Sequence, residues 1–370
     1  MIKSFKVIGL WGRQDYVFEA LHEDLNIFTG SNGAGKTTLL KLMWYMISGH
    51  IQQALAEVEF REAEIVTNSA ILNLQKRPAK PAGRYEDKHP RDGSPIAPDT
   101  PVAEIHMKRL DMSNIFSLFP IPMSELKFMV NTEGPSMREP SLFFPTFRRV
   151  EGGFSLEEGE ERSKINEGFK DYSKRMTHNN HLFLAFADSD DIHGLLNEIS
   201  SDIRVKLQPY EDSFTSFLAT GINGSANTDF TMRLRNQLSE IEAKRTEFRR
   251  PLEMLNQYID SYFLEKSVRV SELVLGTNSN RVPIDRLSAG EKNFLSFLVY
   301  ALSNPEAAIF IDEPELTLHI DWQRQLLSII RHIAPNVQIF VATHSPAIRA
   351  AYPDKKFWLN EQFEEEVEFA

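Results

Sequence analysis

A glycine-rich segment early in the chain constrains the fold more than any other feature. Residues 30–37 read Gly-Ser-Asn-Gly-Ala-Gly-Lys-Thr and fit the pattern Gly-x-x-x-x-Gly-Lys-Ser/Thr in full. An apolar strand is predicted before the segment, at residues 25–29, and a buried helix after it, at residues 38–47. Glycine lets the backbone curl until its N–H groups point at phosphate oxygens, and the positive N-terminus of the helix faces the same anion. The order of strand, loop and helix predicts an α/β fold that binds nucleotide phosphates.

Two side chains of this loop have distinct predicted roles. Lys36 reaches the β- and γ-phosphates, and the Thr37 hydroxyl ligates Mg²⁺. ATP and Mg²⁺ are therefore the expected cofactors. The residues predicted to contact the nucleotide are Gly30, Ser31, Asn32, Gly33, Ala34, Gly35, Lys36, Thr37 and Thr38.

A pair of carboxylates follows an apolar strand near residues 308–311. Ligands of α/β sheets bind beyond the carboxyl ends of the strands, and a carboxylate buried there is costly unless it faces a cation. Asp312 is therefore the predicted partner of Mg²⁺, together with Thr37. Glu313 is adjacent in sequence and is predicted to be the general base for the water that attacks the γ-phosphate.

Two shorter motifs flank this strand in the sequence. Ser288 and Gly290 belong to a Ser-x-Gly-Glu sequence that, taken alone, is an ordinary helix N-cap with an acidic first turn. His344 follows the next apolar strand, where a single histidine is usually a surface or capping residue. Neither motif identifies a site by itself.

Taken together and in this order, the motifs resemble those of the ATP-binding-cassette (ABC) ATPases. The resemblance covers a phosphate loop, a signature at residues 287–292, a carboxylate strand, a dimer-contact loop at residues 315–319 and a switch histidine, His344. It implies an ABC-type head, a mixed sheet with flanking helices, in which His344 contacts the γ-phosphate and the attacking water. Ser288 and Gly290 would bind the γ-phosphate held by a second chain, so the resemblance also implies a homodimer or higher oligomer joined by ATP. His319 is either an interface contact or a structural residue, and no segment matches the family's glutamine loop.

The long separation of phosphate loop and signature resembles the branch that contains Rad50, RecF, the SMC proteins and the OLD-type ATPases. Residues 312–319, followed by Trp322 and Gln323, look most like the OLD-type ATPases. OLD-type chains often carry a Toprim nuclease domain after the cassette, whereas this sequence ends soon after His344, so we expect a separate effector. Residues 144–149 and 151–154 resemble the sensor ATPase of the PARIS phage-defence system. That likeness implies a Toprim-like nuclease partner, allows a phage-encoded trigger protein and allows slow ATP turnover.

The sequence divides into three predicted parts. Residues 1–150 form an N-terminal ATPase lobe that includes the phosphate loop and strands within residues 51–75. Six prolines within residues 78–101 predict an exposed, mobile loop. Residues 151–265 are a mainly helical insertion with short coiled-coil-like helices, broken or bent near Pro251, and residues 266–370 are the C-terminal ATPase lobe.

The composition and charge of the chain distinguish among the remaining functional alternatives. A net charge of -11 disfavours a RecF- or Rad50-like repair ATPase that clamps DNA, which stays the main alternative. The basic cluster Lys244, Arg245, Arg249 and Arg250 is better explained as a solvated helix face. A scaffold with negligible hydrolysis would not need Glu313. The chain has no cysteine, which excludes disulfides and thiol catalysis, and it has no apolar run long enough for a membrane span, so we predict a cytoplasmic protein without a membrane partner.

Overall fold

A computed structural model gives the structure of the chain and describes most, but not all, of its residues. Two compact units emerge, each built from segments that are distant in sequence. The first unit comprises Met1–Phe186, Glu306–Leu316 and Asn336–Ala370, and the second comprises Ala187–Pro305 and Thr317–Pro335. The described residues are 1–80, 87, 94–97, 99–110, 115–124, 139–145, 181–183, 189–221, 228–262 and 287–359.

The strands of the described residues all lie in the first unit. Their bounds are β1 Ile2–Leu10, β2 Gln14–Phe18, β3 Leu25–Gly30, β4 Glu62–Thr67, β5 Ala70–Pro78, β6 Pro101–Arg109, β7 Ile115–Pro122, β8 Ser141–Phe144, β9 His181–Phe183, β10 Ala308–Asp312, β11 Gln338–Ala342 and β12 Lys356–Leu359. They form two six-stranded sheets, with the orders β2-β1-β4-β5-β6-β7 and β12-β3-β11-β10-β8-β9.

The two sheets differ in strand direction. Every pairing in the first sheet is antiparallel, and every pairing in the second is parallel. In β4, buried and half-buried residues alternate, as expected for a sheet with one face on the core. The central strands β10 and β11 are buried at every position, as expected for a parallel sheet covered on both faces. The predicted α/β class is confirmed, with the parallel and antiparallel strands in separate sheets.

Three helices complete the described part of the first unit: α1 Lys36–Ile47, α2 Ile51–Glu57 and α7 Pro346–Ala351. Helix α1 contacts strands of both sheets, and its apolar residues join one core cluster with theirs. The helix predicted at residues 38–47 is thus confirmed as a buried one. The strand segments predicted within residues 51–75 correspond to β4 and β5. Residues 51–57, for which the sequence was ambiguous, form α2, where Ile51, Ala54 and Leu55 share one buried helical face.

The second unit is helical, with α3 Ser189–Gly221, α4 Thr228–Tyr262, α5 Ala289–Ser303 and α6 Ile320–Ile333. Helices α3 and α4 form an antiparallel hairpin, in which Phe217 stacks on Phe230 with ring centroids 5.1 Å apart. Further along, Arg245 of α4 forms an ion pair with Glu211 of α3 at 3.2 Å. Each helix is about 50 Å long, so these helices are longer than the short ones expected.

Prolines do not interrupt the hairpin. Pro209 lies inside α3, and Pro251 lies inside α4, where the sequence predicted a break or a bend. A proline removes one backbone hydrogen bond of a helix. Val205 and Glu247, four residues before each proline, are exposed, so their carbonyl groups can bond to water instead. The helix therefore continues through Pro251.

The described part of the proline-rich loop is anchored rather than free. The Asp87 carboxylate accepts two hydrogen bonds from the Arg77 guanidinium of β5, at 2.6 and 2.9 Å. Ala79, Ile96 and Val102 form a small apolar cluster beneath it. The mobility predicted for residues 81–86, 88–93 and 98 concerns positions outside the described residues.

The division of the chain into three consecutive parts stays a prediction. The two compact units are built from discontinuous segments, with bounds that differ from those of the three parts. Helices α5 and α6 belong to the same unit as the hairpin, although they were predicted to lie in the C-terminal lobe. Within the described ranges, no helix has the length and apolar character needed to cross a membrane.

Candidate nucleotide-binding site

The phosphate loop leaves the parallel sheet at the end of β3 and enters α1 at Lys36. Gly33 and Gly35 have φ angles of 81° and 85°, in the left-handed region that favours glycine. At Gly30 a side chain has no room, because a Cβ atom would lie 2.3 Å from the carbonyl oxygen of Leu359 in β12. The glycine pattern of the sequence is thus explained by backbone conformation and by the neighbouring strand.

Two aromatic residues of the hairpin formed by β1 and β2 contact the loop, and the sequence prediction missed both. Trp11 has a left-handed φ of 53°, and its ring lies 3.3 Å from where a Cβ atom of Gly35 would be. The Tyr16 hydroxyl donates to the carbonyl oxygen of Ala34 at 2.8 Å. Burial raises the pKa of Tyr16 to about 12, so the hydroxyl stays a donor. No motif spacing signals either residue, since both depend on the pairing of β1 with β2.

Lys36 is a buried cation within the loop. Its ammonium donates to the carbonyl oxygens of Gly30 and Ser31, at 3.3 and 3.1 Å. Burial lowers the pKa of Lys36, while the negative charges of Glu313, Asp312 and Glu315 oppose that change. The lysine therefore lies in the electrostatic field of three carboxylates. Its ammonium donates to two carbonyl oxygens, and the oxygens of a bound phosphate group would take their place as acceptors.

Thr37 and Asp312 meet across the parallel sheet. The Thr37 hydroxyl lies 2.9 and 3.0 Å from the two carboxylate oxygens of Asp312. Asp312 is buried, and a hydroxyl with a carboxylate is the hard oxygen set that Mg²⁺ prefers. These residues fit the predicted cation. Among the described residues no group of three or more His, Asp or Glu side chains is placed to hold a metal alone, so the fit includes phosphate oxygens and water as the other ligands.

Glu313 adopts a strained backbone conformation directly after β10. Its φ of 46° lies in the left-handed region, which costs a residue other than glycine about 1–3 kcal/mol. The conformation is held in place, because the Glu313 N–H donates to the carbonyl oxygen of Ala342 at 2.8 Å. Burial raises the pKa of Glu313, and the charges of Asp312 and Glu315 add to the rise. Because of this conformation, the Glu313 side chain does not follow the direction that a regular strand would give it.

His344 lies opposite Glu313 at the end of β11. Its Nε2 atom is 3.9 Å from Oε1 of Glu313. Burial lowers the pKa of His344, and the charge of Lys36 lowers it further. The lowered pKa favours the neutral imidazole, which can accept a hydrogen bond from water as well as donate one.

The signature residues lie in the second unit, at the start of α5. Ser288 caps the helix: its side chain accepts from the Glu291 N–H at 3.3 Å, while the Glu291 carboxylate accepts from the Ser288 N–H at 2.7 Å. A Cβ atom at Gly290 would lie 2.6 Å from the carbonyl oxygen of Thr317. The glycine is therefore required by local packing, whatever else it contacts. His319 similarly caps α6, by accepting from the Asp321 N–H.

The structure brings most of the predicted site residues together. The phosphate loop from Gly30 to Thr38, Asp312, Glu313 and His344 all lie in the first unit, around the carboxyl ends of β3, β10 and β11. Ser288 and Gly290 belong to the second unit, and their action on the nucleotide of another chain stays a prediction. Glu315, which belongs to the predicted dimer-contact loop, accepts hydrogen bonds from the backbone of His344 and Ser345. The dimer contact itself stays a prediction.

Comparison with known families shows the family to which the chain belongs. Residues 139–350 match the family described as "AAA domain, putative AbiEii toxin, Type IV TA system". The chain belongs to this family. The matched segment contains the signature, the carboxylate pair and His344, whereas the phosphate loop precedes it.

Curated relatives of the chain include ATPases of retrons. The Retron Ec83 probable ATPase of Escherichia coli is 22% identical over 377 residues, which cover 92% of this chain and 67% of that protein. The Septu protein PtuA of Bacillus thuringiensis is 30% identical over 105 residues, which cover 22% of this chain and 26% of that protein. The chain thus spans about a quarter of the Septu protein that it matches.

Solved structures of SMC heads also resemble the chain. An SMC head bound to the C-winged helix domain of ScpA matches with a TM-score of 0.40 and 13% identity, covering 95% of this chain and 92% of that one. The SMC head domain from Thermotoga maritima matches with a TM-score of 0.37 and 10% identity, covering 95% and 91%. Similarity at this level assigns neither a function nor a partner.

Proposed function

We propose that the chain binds ATP with Mg²⁺ at the carboxyl edge of the parallel sheet and hydrolyses it. The observation that carries the proposal is the contact of the Thr37 hydroxyl with the Asp312 carboxylate, at 2.9 and 3.0 Å, beside the buried ammonium of Lys36. Bound Mg²⁺ would neutralise phosphate charge between these two residues. Membership in a family of AAA domains supports the same activity.

The acids and the histidine supply the remaining chemistry. Glu313 is proposed as the general base, because burial raises its pKa and a base with a higher pKa accepts a proton from water more readily. His344, whose Nε2 atom is 3.9 Å from Glu313, is proposed to orient the same water and to contact the γ-phosphate. Lys36 would stabilise the charge that develops on the phosphate oxygens.

Ser288 and Gly290 are proposed to complete the site of a second copy of the chain. The Ser288 side chain is exposed at the N-terminus of the 15-residue helix α5, where backbone N–H groups attract anions. ATP would then join two chains as a homodimer, or as part of a higher oligomer. This part of the proposal rests on the resemblance to ABC ATPases.

The biological role that fits these features is a sensor or scaffold subunit of an anti-phage defence complex in the cytoplasm. Support comes from the PARIS-like motif, from the toxin–antitoxin description of the family and from the retron and Septu relatives. In this role the chain would hold a separate Toprim-like nuclease through ATP-dependent assembly, and a phage protein would trigger its release.

Nucleotide binding by the variant Lys36→Ala tests the site. We expect ATP affinity to fall by more than about a hundredfold, because a buried cation that faces the phosphates is removed. Lys41→Ala is the matched control, since Lys41 lies on the same helix outside the loop. Titration with a fluorescent ATP analogue measures both, and unchanged affinity of Lys36→Ala would disprove the assignment of the loop.

Capture of partners tests the biological role. The variant Glu313→Gln, expressed with its neighbouring genes, is purified by an affinity tag and its partners are identified by mass spectrometry. A stoichiometric nuclease supports the sensor role. A dimer that retains DNA only with ATP contradicts it and supports the repair ATPase instead.

A further inference from the structure

Glu315 joins the ends of two neighbouring strands. It lies in the 3-10 turn Pro314–Leu316 after β10, and its Oε1 atom accepts from the backbone N–H of His344 at 2.6 Å and from that of Ser345 at 3.1 Å. Hydrogen bonds to an ionised carboxylate are roughly twice as strong as neutral ones. A side chain that follows β10 therefore holds the main chain that follows β11.

Hydrogen bonds run between these two segments in both directions. The Glu313 N–H donates to the carbonyl oxygen of Ala342 at 2.8 Å, and Glu315 accepts from the two N–H groups that follow Thr343. The segments are thus joined on either side of the gap between Glu313 and His344. Across that gap, Nε2 of His344 and Oε1 of Glu313 are 3.9 Å apart.

Capping of helix α7 does not account for Glu315. Ser345 is the N-cap of this helix, and its own side chain accepts from the Ile348 N–H at 3.3 Å. The Ser345 N–H also has a second acceptor, the Thr343 hydroxyl, at 2.9 Å. Of the two hydrogen bonds from this segment to Glu315, the shorter, at 2.6 Å, comes from the N–H of His344, which precedes the cap. The Glu315 carboxylate therefore holds the main chain at His344 rather than serving as the cap of the helix.

We propose that Glu315 is a positioning residue that holds His344 opposite Glu313 during ATP hydrolysis. The inference rests on the proposed ATPase function. Glu315 acts through the backbone of His344 and needs no contact with the nucleotide.

Kinetics of three variants test the proposal. Glu315→Ala should lower kcat by about tenfold to a hundredfold, because a displaced catalytic group loses its geometry, while KM for ATP changes by less than about threefold. Glu315→Gln should recover most of the loss, since its amide oxygen still accepts from both N–H groups. Glu139→Ala removes a carboxylate that accepts from Ser69 elsewhere in the same unit, and it should leave kcat unchanged.

A double-mutant cycle identifies the residue through which Glu315 acts. In a His344→Ala background, Glu315→Ala should cause less than about a twofold further loss of kcat, because the group that it positions is absent. A loss by the same factor in both backgrounds would overturn the proposal. So would a Glu315→Gln variant that is as slow as Glu315→Ala.

Amide hydrogen exchange separates this proposal from the proposed activity. In the nucleotide-free chain, the His344 amide should exchange at least about tenfold faster in Glu315→Ala than in the wild type. The Ser345 amide keeps its bond to the Thr343 hydroxyl and serves as the internal reference, and Glu315→Gln and Glu139→Ala should retain protection at His344. If the wild type hydrolyses no ATP but exchange responds in this way, the ATPase proposal fails while the link from Glu315 to His344 stands. Unchanged exchange in Glu315→Ala refutes the link itself.

Discussion

Two clusters of charged side chains in the first unit differ in how they shift the pKa values of their members. Around the phosphate loop, Lys36 shares its surroundings with three acids, and burial raises the pKa of Glu313. Beneath the proline-rich loop, Arg77 binds both Asp87 and Glu104. There, hydrogen bonding to Arg77 lowers the pKa of Asp87. The first cluster therefore disfavours the charged forms of Lys36 and Glu313, whereas the second favours those of Arg77 and Asp87.

The difference is the one expected if the first cluster serves the proposed chemistry and the second serves the fold. A carboxylate with a raised pKa and a strained backbone reduces stability in the absence of a ligand, and such groups concentrate at functional sites. The Arg77 cluster has the short, paired hydrogen bonds of a structural anchor. Substitutions in the two clusters should thus change stability with opposite signs.

The largest effect on stability is expected for Arg77→Met. Removing the cation takes the guanidinium partner away from Asp87 and Glu104. We expect a loss of about 2–3 kcal/mol, reduced from the value for a fully buried pair because Arg77 is partly exposed. ATP hydrolysis by the folded variant should be unchanged. Thermal unfolding and ATPase assays measure the two quantities, and a stable variant would show that the anchor contributes nothing.

A smaller effect of opposite sign is expected for Glu313→Gln without nucleotide. The folded pKa of Glu313 is raised above its ordinary value of 4.5, so the folded chain binds this proton more tightly than the unfolded chain. Stability therefore falls as pH rises from the ordinary pKa through the raised one. The variant should be more stable by about 0.5–2 kcal/mol at pH above the raised pKa, and it should match the wild type at pH below the ordinary value.

Asp87→Asn provides the contrast for that pH dependence. The folded pKa of Asp87 is lowered, so its contribution to stability is present above its ordinary pKa and is lost as pH falls through the lowered one. The variant should be less stable than the wild type at neutral pH and equal to it in strong acid. Unfolding curves across pH that shift in the same direction for Asp87→Asn and Glu313→Gln would contradict the contrast between the clusters.

The smallest effect is expected for Trp11→Ala, which separates packing from charge at the phosphate loop. The ring contacts Gly35 and carries no charge, so we expect ATP affinity to weaken by only about twofold to tenfold. Trp11→Phe should retain most of the affinity. A loss as large as that of Lys36→Ala would mean that packing, rather than charge, dominates the site.

The sequence predicted those parts of the molecule that chemistry fixes to short motifs. Thr37 and Asp312 are 275 residues apart, yet both were predicted to hold one cation, and the structure places them in contact. Strands β3, β10 and β11 were predicted because continuous apolar runs are typical of buried parallel strands.

Features that depend on pairing across the fold were not predictable in the same way. Trp11 meets the phosphate loop only because β1 and β2 pair, and Glu315 reaches His344 only because β10 lies beside β11. The helix at Ile51–Glu57 was missed because its apolar spacing is short enough to fit a strand as well. The helices of the hairpin were expected to be short because the sequence lacks a sustained heptad repeat, yet ring and ion-pair contacts join them.

Turnover of Glu313→Gln tests the central claim most directly. Its ATP hydrolysis at saturating Mg²⁺ and ATP is compared with that of the wild type, and its ATP affinity is measured in parallel. We expect kcat to fall by about a hundredfold to ten-thousandfold while affinity is kept, because only the general base is removed. Hydrolysis at the wild-type rate would contradict it and would show that Glu313 is not the base.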